Sequence, residues 1–368
     1  GQASDLKWVE ACARQVAKFS TGHTIVVEKS TLPVKTAEVI KSILEGTTNN
    51  NSNERNSTFD VLSNPEFLSE GTAVKDLEHP DRVLIGGENK DAIDSLISIY
   101  SKWVEKEKIL TTNLWSSELS KLISNAFLAQ RISSINSISA LCEKTGADIE
   151  EVAKAIGTDK RIGEHFLKAG PGFGGSCFKK DISNLVYICE HYGLKEVSNY
   201  WEKVIDINNW QKKRISEIIT EKLFGTISQK KIAILGFSFK ANTNDTRESP
   251  SISVCKELIE EGANLSIYDP KVKNSQIKKE LGQQSVEEIE FKEKEGVWSF
   301  SETIIEAAEG SDAIVILSEW EEFKKINWSK IVNKMRSPSW LFDTRLIANF
   351  DEATSKGLKV WKLGFGEI

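Results

Sequence analysis

The chain has 368 residues, with 48 lysines and arginines against 54 aspartates and glutamates, for a formal net charge of −6. At roughly 150 residues per domain, this length predicts two or three domains. The 39% hydrophobic and 28% charged content is that of a globular chain and excludes a disordered one. The acidic balance argues against a nucleic-acid or membrane-surface protein, so any bound anion must be held by locally placed Lys or Arg.

Cys12, Cys142, Cys177, Cys189 and Cys255 are scattered and odd in number, with no CxxC spacing. That fits free thiols in a reducing, cytoplasmic compartment. His23, His79, His165 and His191 form no HxxxH or HxH pair, so no metal site is expected. No apolar run approaches ~20 residues, so no membrane span is expected. The sequence opens Gly1-Gln2-Ala3 without a methionine, and no strand precedes its first helix. A piece of the natural protein is therefore expected ahead of it.

A helix to about Phe19 carries Leu6, Val9 and Ala13 on one face. The β-branched run 24–29 reads as a buried strand, and after Pro33 a helix is predicted to about Leu44. Residues 46–58 are polar, low in complexity, and predicted to be a mobile loop. Phe59–Leu62 is a predicted strand, and Asn64-Pro65 reads as an N-cap with proline at the first helical position. A strand at 82–85, a helix at 91–103 and a strand at 108–111 follow. Alternation of this kind implies a parallel sheet with crossover helices.

From Ser116 to about Gly146, Leu119, Leu122, Ile123, Ala126, Phe127, Ile132, Ile135, Ile138 and Leu141 recur at close to helical spacing. A helix this long bridges domains or forms a subunit interface. Helices at 149–155, 180–191 and 200–223 follow, with no strand predicted between 113 and 224. A second alternating region begins with the strand 231–235. It continues with a helix at 251–261, a strand at 265–268, a charged irregular stretch 271–300, a helix at 304–308, and strands at 313–317, 341–343 and 359–363. That leaves room for about five strands. The plan is α/β, then all-helical, then α/β.

The richest segment is Gly170-Pro171-Gly172-Phe173-Gly174-Gly175-Ser176-Cys177-Phe178-Lys179-Lys180-Asp181. Its glycines predict a bare backbone loop that a ligand can approach closely. Cys177 lies just ahead of a helix start and beside two lysines, an environment that favours the thiolate and hence a nucleophile. Asp181, four residues on, falls on the same helical face and can orient or deprotonate a water. The bland alternative is a tight loop with an incidental buried cysteine.

Glu66 and Glu70 fall at i and i+4 near a predicted helix start; taken alone, they read as compensation of the helix dipole. Lys121 and Asn125 lie at i and i+4 on the edge of the long apolar stripe. The lysine there is either a snorkelling side chain or a cation set against a developing oxyanion. The loop after 231–235 carries Lys240, Asp245 and Arg247 at the carboxyl end of a strand, a ligand position, but it holds no GxGxxG. Arg161 and Lys168 flank Phe166-Leu167, and Asp343-Thr344-Arg345 ends a strand; each alone is generic surface charge.

These segments, in this order, resemble the UDP-glucose/GDP-mannose dehydrogenase family, and its animal-type members most. The matching stretches are EKSTLPVKTAE, SNPEFLSEGTAVKDLEHPDRVLIGG, KLISNAFLAQRISSINSISALCEKTGADIEEVAKAIG, FLKAGPGFGGSCFKKD, KKIAILGFSFKANTNDTRESPS, and IYDPKV with LFDTR. The resemblance covers nearly the whole chain apart from 46–58 and 271–303. It implies two Rossmann-like doubly wound α/β domains joined by a long central helix and a helical domain, with the first domain lacking its N-terminal half. The implied boundaries are 1–112 for the remaining NAD-binding part, 113–224 for a central dimerisation domain and 225–368 for a UDP-sugar-binding domain. The family's first strand–glycine-loop–helix, which cradles the NAD pyrophosphate, has no counterpart in the sequence, and the natural protein is expected to have it.

The resemblance further implies oxidation of the C6 alcohol of UDP-glucose to a carboxylate with two NAD+. Cys177 captures an aldehyde as a thiohemiacetal, which is oxidised to a thioester and hydrolysed. Lys121 would stabilise oxyanions, Asp181 would act as base through a water that Thr31 helps to hold, and Glu66 would assist hydrolysis. Asn125 and Lys240 would contact the sugar. Phe166, Leu167 and Lys168 would contact the UDP portion, with Phe67, Leu68, Phe173, Gly174, Phe239 and Arg345 also on the substrate. Arg161 would reach the substrate of a neighbouring subunit, which implies a homo-oligomer, a dimer through the central helix or a hexamer. Ser30, Thr31, Glu70, Lys180 and Arg247 would lie near NAD. The alternatives are the same chemistry on GDP-mannose or UDP-N-acetylmannosamine, a sugar-nucleotide binder without catalysis, and an oligomeric scaffold.

Overall fold

The computed structural model describes residues 6–31, 33–50, 57–282 and 296–366. The chain divides into two compact units, residues 1–127 with 181–198 and residues 128–180 with 199–368.

In the first unit, β1 (His23–Glu28), β2 (Thr58–Ser63), β3 (Val83–Gly86) and β4 (Ile109–Thr112) form one sheet in the order β1-β2-β3-β4. β1 with β2 and β3 with β4 are parallel, whereas β2 meets β3 antiparallel at Ser63 and Gly86. The wholly parallel sheet expected from alternation is therefore corrected. The only helix between β2 and β3 is α3 (Ala73–Glu78). Its six residues cover ~9 Å and do not run the length of a sheet as a crossover helix does.

Val61 and Leu62 face opposite sides of this sheet, as alternation along a strand requires. Val61 packs with Ala13 and Ala17 of α1 (Lys7–Phe19) and Ala37, Ile40 and Leu44 of α2 (Thr36–Asn50). Leu62 packs with Val83, Ile85 and the Leu96 and Tyr100 side chains of α4 (Lys90–Tyr100).

Two local readings change. α2 runs on to Asn50, so 46–50 is helix rather than loop, and 51–56 lies outside the described residues. Helix ends read from an apolar pattern are uncertain by a turn, because the pattern need not continue to the last helical residue. No helix begins at Pro65. Asn64 does not cap because its side chain is already engaged: Nδ2 donates to the Leu84 carbonyl at 2.7 Å, while Oδ1 accepts from Tyr100 Oη at 2.7 Å and Lys29 Nζ at 3.2 Å. Glu66 and Glu70 consequently do not share a helical face.

Four helices and no strand occupy the stretch from 113 to 224, as expected: α5 (Leu114–Thr145), α6 (Ile149–Gly157), α7 (Phe178–His191) and α8 (Lys195–Lys222). α5 has 32 residues, or ~48 Å of helix. Along it Leu122, Ala126, Ala129 and Ile135 are buried, whereas Leu119, Phe127, Ile138 and Leu141 stay exposed.

The second unit holds a six-stranded, all-parallel sheet of β5 (Lys231–Leu235), β6 (Asn264–Tyr268), β7 (Trp298–Phe300), β8 (Ala313–Ile316), β9 (Trp340–Asp343) and β10 (Lys359–Lys362). Its order, β10-β9-β8-β5-β6-β7, reverses direction between β5 and β8. This is the doubly wound plan, with its ligand crevice at the carboxyl ends of those strands. The stretch 271–300, read as irregular, supplies β7 and a helix, α10 (Asn274–Leu281). Its low apolar content hid both: only Ile277 of α10 is buried.

Both faces of this sheet are covered. Ile232, Ile234, Leu265, Ile267 and Val315 pack with Ile215 and Ile219 of α8 and Val254 and Leu258 of α9 (Pro250–Glu260). Ala233, Leu235, Ile314, Ile316 and Leu341 pack with Ala307 and Ala308 of α11 (Ile304–Ala308), Ile331 of α12 (Trp328–Val332) and Ala353 of α13 (Phe350–Ser355). Continuous apolar runs such as KIAIL are what a strand buried on both faces needs. α9 starts where the sequence places it, with the Ser249 side chain accepting from Ser251 N–H and Pro250 in the first turn.

At the end of β6, buried Asp269 accepts the N–H groups of Phe237 at 2.7 Å, Ser238 at 3.0 Å, Lys271 at 2.9 Å and Val272 at 2.9 Å, with Trp320 Nε1 at 3.3 Å. One carboxylate thereby ties the loop after β5 to the loop after β6. Each buried donor left unpaired costs about 1–3 kcal/mol. Asp269→Ala is expected to lower unfolding stability by about 3 kcal/mol or more, read as a shift in urea midpoint at unchanged slope.

Candidate active site

In the first unit, four stretches of chain meet on one face of α5. Lys121 is 6% exposed, and its ammonium lies 3.6 Å from Glu66 Oε1 and 5.2 Å from the Phe67 ring centroid. It is a buried, paired cation rather than a snorkelling side chain. Arg82 stacks over the same ring at 3.8 Å, so Phe67 carries two cations. Glu66 Oε2 also accepts the Leu68 N–H at 2.6 Å, which shapes the 66–68 turn. A cavity of about 200 Å³ opens there, lined by Glu66, Phe67 and Leu68 together with Lys29, Asn64 and Arg82.

One turn further along α5, Asn125 Nδ2 donates to Asp181 Oδ2 at 2.6 Å, with both residues buried. Asp181 lies in the first turn of α7. Ser30 is exposed and Thr31 half-buried, just past the carboxyl end of β1. Glu70 is exposed in the turn before α3. Among the described residues of this unit, the structure therefore brings together Glu66, Phe67, Lys121, Asn125 and Asp181.

In the second unit, the glycine loop is not bare backbone as expected; residues 170–175 are buried. Its glycines allow close approach of protein rather than open space for a ligand. A Cβ on Gly174 would lie 2.7 Å from the Glu248 carbonyl and 2.8 Å from Phe239 Cβ. Gly172, at φ +127°, sits against Asn208 of α8, whose Oδ1 accepts Phe173 N–H at 2.8 Å and whose Nδ2 donates to the Phe173 carbonyl at 3.1 Å. Gln211 Nε2 donates to the Gly170 carbonyl at 2.9 Å, and Gly175 N–H donates to the Arg247 carbonyl at 2.8 Å.

Phe239, Arg247 and Arg345 border this loop, and Lys240 follows Phe239 in the chain. Arg345 donates to the carbonyls of Leu317 at 2.9 Å and Phe239 at 3.3 Å and pairs with Glu319 at 3.1 Å. Lys240 lies 5.5 Å from the Phe239 ring centroid, and Arg247 pairs with Asp245 at 2.6 Å. Cys177 is exposed at the end of the glycine loop, directly before α7, with Ser176 Oγ 3.7 Å from its sulfur. Cys142, Cys189 and Cys255 are buried, and burial pushes all three thiols up. Lys180 is exposed at the start of α7.

Arg131 of α5 donates to the carbonyls of Ile162, Gly163 and His165 and so fixes the turn before Phe166, Leu167 and Lys168. Leu167 is buried, Phe166 and Lys168 are exposed, and Phe166 sits at φ +60°. Arg161 stands apart: its side chain is 89% exposed and pairs with Asp159 at 2.6 Å.

Sequence reasoning missed Asn208, Arg82 and Lys212. Lys212 of α8 is buried beneath Gly172, and burial lowers its ammonium below the usual lysine range. The i, i+4 pair Asn208 and Lys212 on a helix near a glycine loop was the available signal.

The fold and these residue groups define a two-unit α/β protein, with buried polar side chains gathered on α5 and the first turn of α7 in one unit and around a packed glycine loop in the other. Comparison with known families makes this specific. The description "UDP-glucose/GDP-mannose dehydrogenase family" matches in three parts: the NAD binding domain at 1–104, the central domain at 115–210 and the UDP binding domain at 233–349. The chain is 55% identical over 351 residues to UDP-glucose 6-dehydrogenase of Gallus gallus, covering 94% of this chain and 70% of that one. It is 53% identical to the Caenorhabditis elegans UDP-glucose 6-dehydrogenase, covering 99% and 75%. A solved UDP-glucose dehydrogenase from the archaeon Pyrobaculum islandicum superimposes with a TM-score of 0.84 at 29% identity, over 100% of this chain and 77% of that one. The chain belongs to the UDP-glucose/GDP-mannose dehydrogenase family.

Asn125→Asp would set a second carboxylate against Asp181 in a buried place. Two such groups cannot both ionise at contact distance. The expected outcome is a loss of turnover by about a hundredfold or more, with far smaller loss in Asn125→Ser, measured as kcat for the oxidation reaction.

Proposed function

We propose that the protein is an NAD-dependent UDP-glucose 6-dehydrogenase, oxidising the C6 alcohol of UDP-glucose to the carboxylate of UDP-glucuronate. The observation that carries this reading is the exposed thiol of Cys177 at the start of α7, one turn ahead of buried Asp181, which is held by Asn125 of the helix that carries Lys121. Relatives 50–55% identical that carry this activity in their names support the choice of substrate. NAD supplies the acceptor for the two hydrides that leave C6. Exposed Ser30 and half-buried Thr31 suit its approach, since they lie just past the carboxyl end of a strand, where nucleotides are held in α/β sheets.

The residues then divide the work. Cys177 adds to the C6 aldehyde, and the adduct is oxidised to a thioester on its sulfur. The ammonium of Lys121 offsets the negative charge that develops on the C6 oxygen at each addition. Asp181 takes the proton of the attacking water, and Asn125 keeps the carboxylate turned toward it. Glu66, half-buried and paired with Lys121, assists hydrolysis. Phe239, Lys240, Arg345 and the 166–168 segment hold the nucleotide sugar, and Arg161 serves a neighbouring subunit. The exposed apolar side chains Ile138, Leu141, Tyr200 and Trp210 on α5 and α8 support a homo-oligomer. No described helix is long and apolar enough to cross a membrane; a cytoplasmic location is part of this proposal. So is the division into domains at 1–112, 113–224 and 225–368.

The test is stoichiometry. The full-length protein is expected to release two NADH per UDP-glucose, and Cys177→Ser is expected to stall with no UDP-glucuronate released. Steady turnover in Cys177→Ser would remove the thiol from the reaction. Preference for GDP-mannose or UDP-N-acetylmannosamine in competition assays would overturn the substrate.

A further inference from the structure

Two carboxylates are buried together behind the corner that carries Ser30 and Thr31. Glu28 ends β1 and is 7% exposed; Glu118 lies on α5 and is 4% exposed. Glu118 bridges the start of α2, its Oε2 accepting Lys35 N–H at 2.7 Å and its Oε1 accepting Ala37 N–H at 2.9 Å. Lys35 itself sits at φ +78°, in the left-handed region that side-chain-bearing residues rarely take. The turn is therefore held by its surroundings, not by its own preference.

Both Glu118 oxygens are thus occupied by backbone N–H groups. Glu28 hydrogen-bonds to the same side chain from the end of β1, and its own Oε2 is buried without a partner. Two ionised carboxylates do not coexist side by side out of water. Burial, and then the Glu118 charge, push Glu28 up to about 9. Burial also raises Glu118, against the pull of its two N–H donors. The charges around the pair do not relieve it. Glu38 of α2 adds another negative charge. Lys35 gives only its backbone N–H, its ammonium lying 5.9 Å from the Trp115 ring centroid and 5.8 Å from that of Tyr192.

We propose that Glu28 and Glu118 hold one proton between them, and that this shared proton fastens the Ser30–Thr31 corner to α5, making both acids positioning residues for the cofactor side of the reaction. Neutral Glu28 donates its O–H, and Glu118 stays ionised and grips the two N–H groups. The sign of the pH effect follows. Above the usual carboxylate range, the folded chain keeps a proton that the unfolded chain has released, so stability falls as pH rises and levels off past about 9. Once the proton leaves, the two acids repel and the turn loosens. The link to the cofactor rests on the placement of NAD proposed above; the shared proton does not.

The test is hydrogen exchange at the Lys35 and Ala37 amides from about pH 6 to about pH 10, expressed as protection relative to an unstructured chain. The full-length wild type is expected to lose about tenfold or more of its protection in one single-proton step at the alkaline end. Glu28→Gln, whose amide N–H donates at every pH, is expected to stay protected throughout. Glu118→Gln, which turns an amide NH₂ against a backbone N–H, is expected to be unprotected at every pH. A flat wild-type profile, or the same alkaline step in Glu28→Gln, overturns the proposal. The KM for NAD+ is expected to rise with the wild-type step and to stay level in Glu28→Gln. An exchange step with no change in KM would leave the shared proton standing and strike the cofactor from this corner.

Discussion

One face of α5 determines where the first unit can place anything. Ser117, Glu118, Lys121 and Asn125 recur at three- and four-residue spacing, and all are buried. Ser117 Oγ donates to the Ser63 carbonyl, Glu118 accepts at the start of α2, Lys121 pairs with Glu66, and Asn125 binds Asp181. A helix normally turns such residues to water. Here each is satisfied from outside the helix, so the end of β2, the start of α2, the 66–68 turn and the first turn of α7 are registered against a single rigid rod. Removing one member of a buried charged pair costs about 3–5 kcal/mol because the other is left uncompensated. The arrangement therefore tolerates few alternatives, and the geometry it fixes is specific.

The second unit reaches the same end by a different route. Its glycine loop has little choice of position, because the protein itself fills the space that side chains would need. Asn208 pairs with both backbone groups of Phe173, and Phe239 lies against Gly174 and Gly175. Cys177 emerges from this clamped segment at the start of a fourteen-residue helix. For the nucleophile proposed here, being held in one place before its substrate arrives is an advantage, and close packing provides it.

Much of the architecture was legible in the residues. Strands buried on both faces, such as KIAIL and AIVIL, announce themselves, and Ser249-Pro250 marks a helix start that the structure keeps. Asn64-Pro65 carries the same local signal and starts no helix, because Tyr100, Lys29 and the Leu84 carbonyl claim the asparagine first. A local pattern holds only until a tertiary partner outbids it. The candidate site divides the same way. Cys177, Asp181, Lys121 and Asn125 could be singled out from spacing. Glu28 with Glu118 could not, since nothing within either segment says that residues 90 positions apart meet. Lys212 was hidden in a run of charged residues whose exposed members set the expectation for the whole helix.

Two sheets of related plan within one chain raise a question of selectivity, which Asp269 answers. In a doubly wound unit, the amides that open after the first strand form the seat in which a dinucleotide's phosphates rest. In the second unit that seat is taken: the Phe237 and Ser238 amides already close on a carboxylate supplied by the chain itself. A pyrophosphate arriving at those two amides would meet a resident anion that already takes both donors. The two units are thereby made unequal: the amides after β5 are closed to a dinucleotide's phosphates by that route.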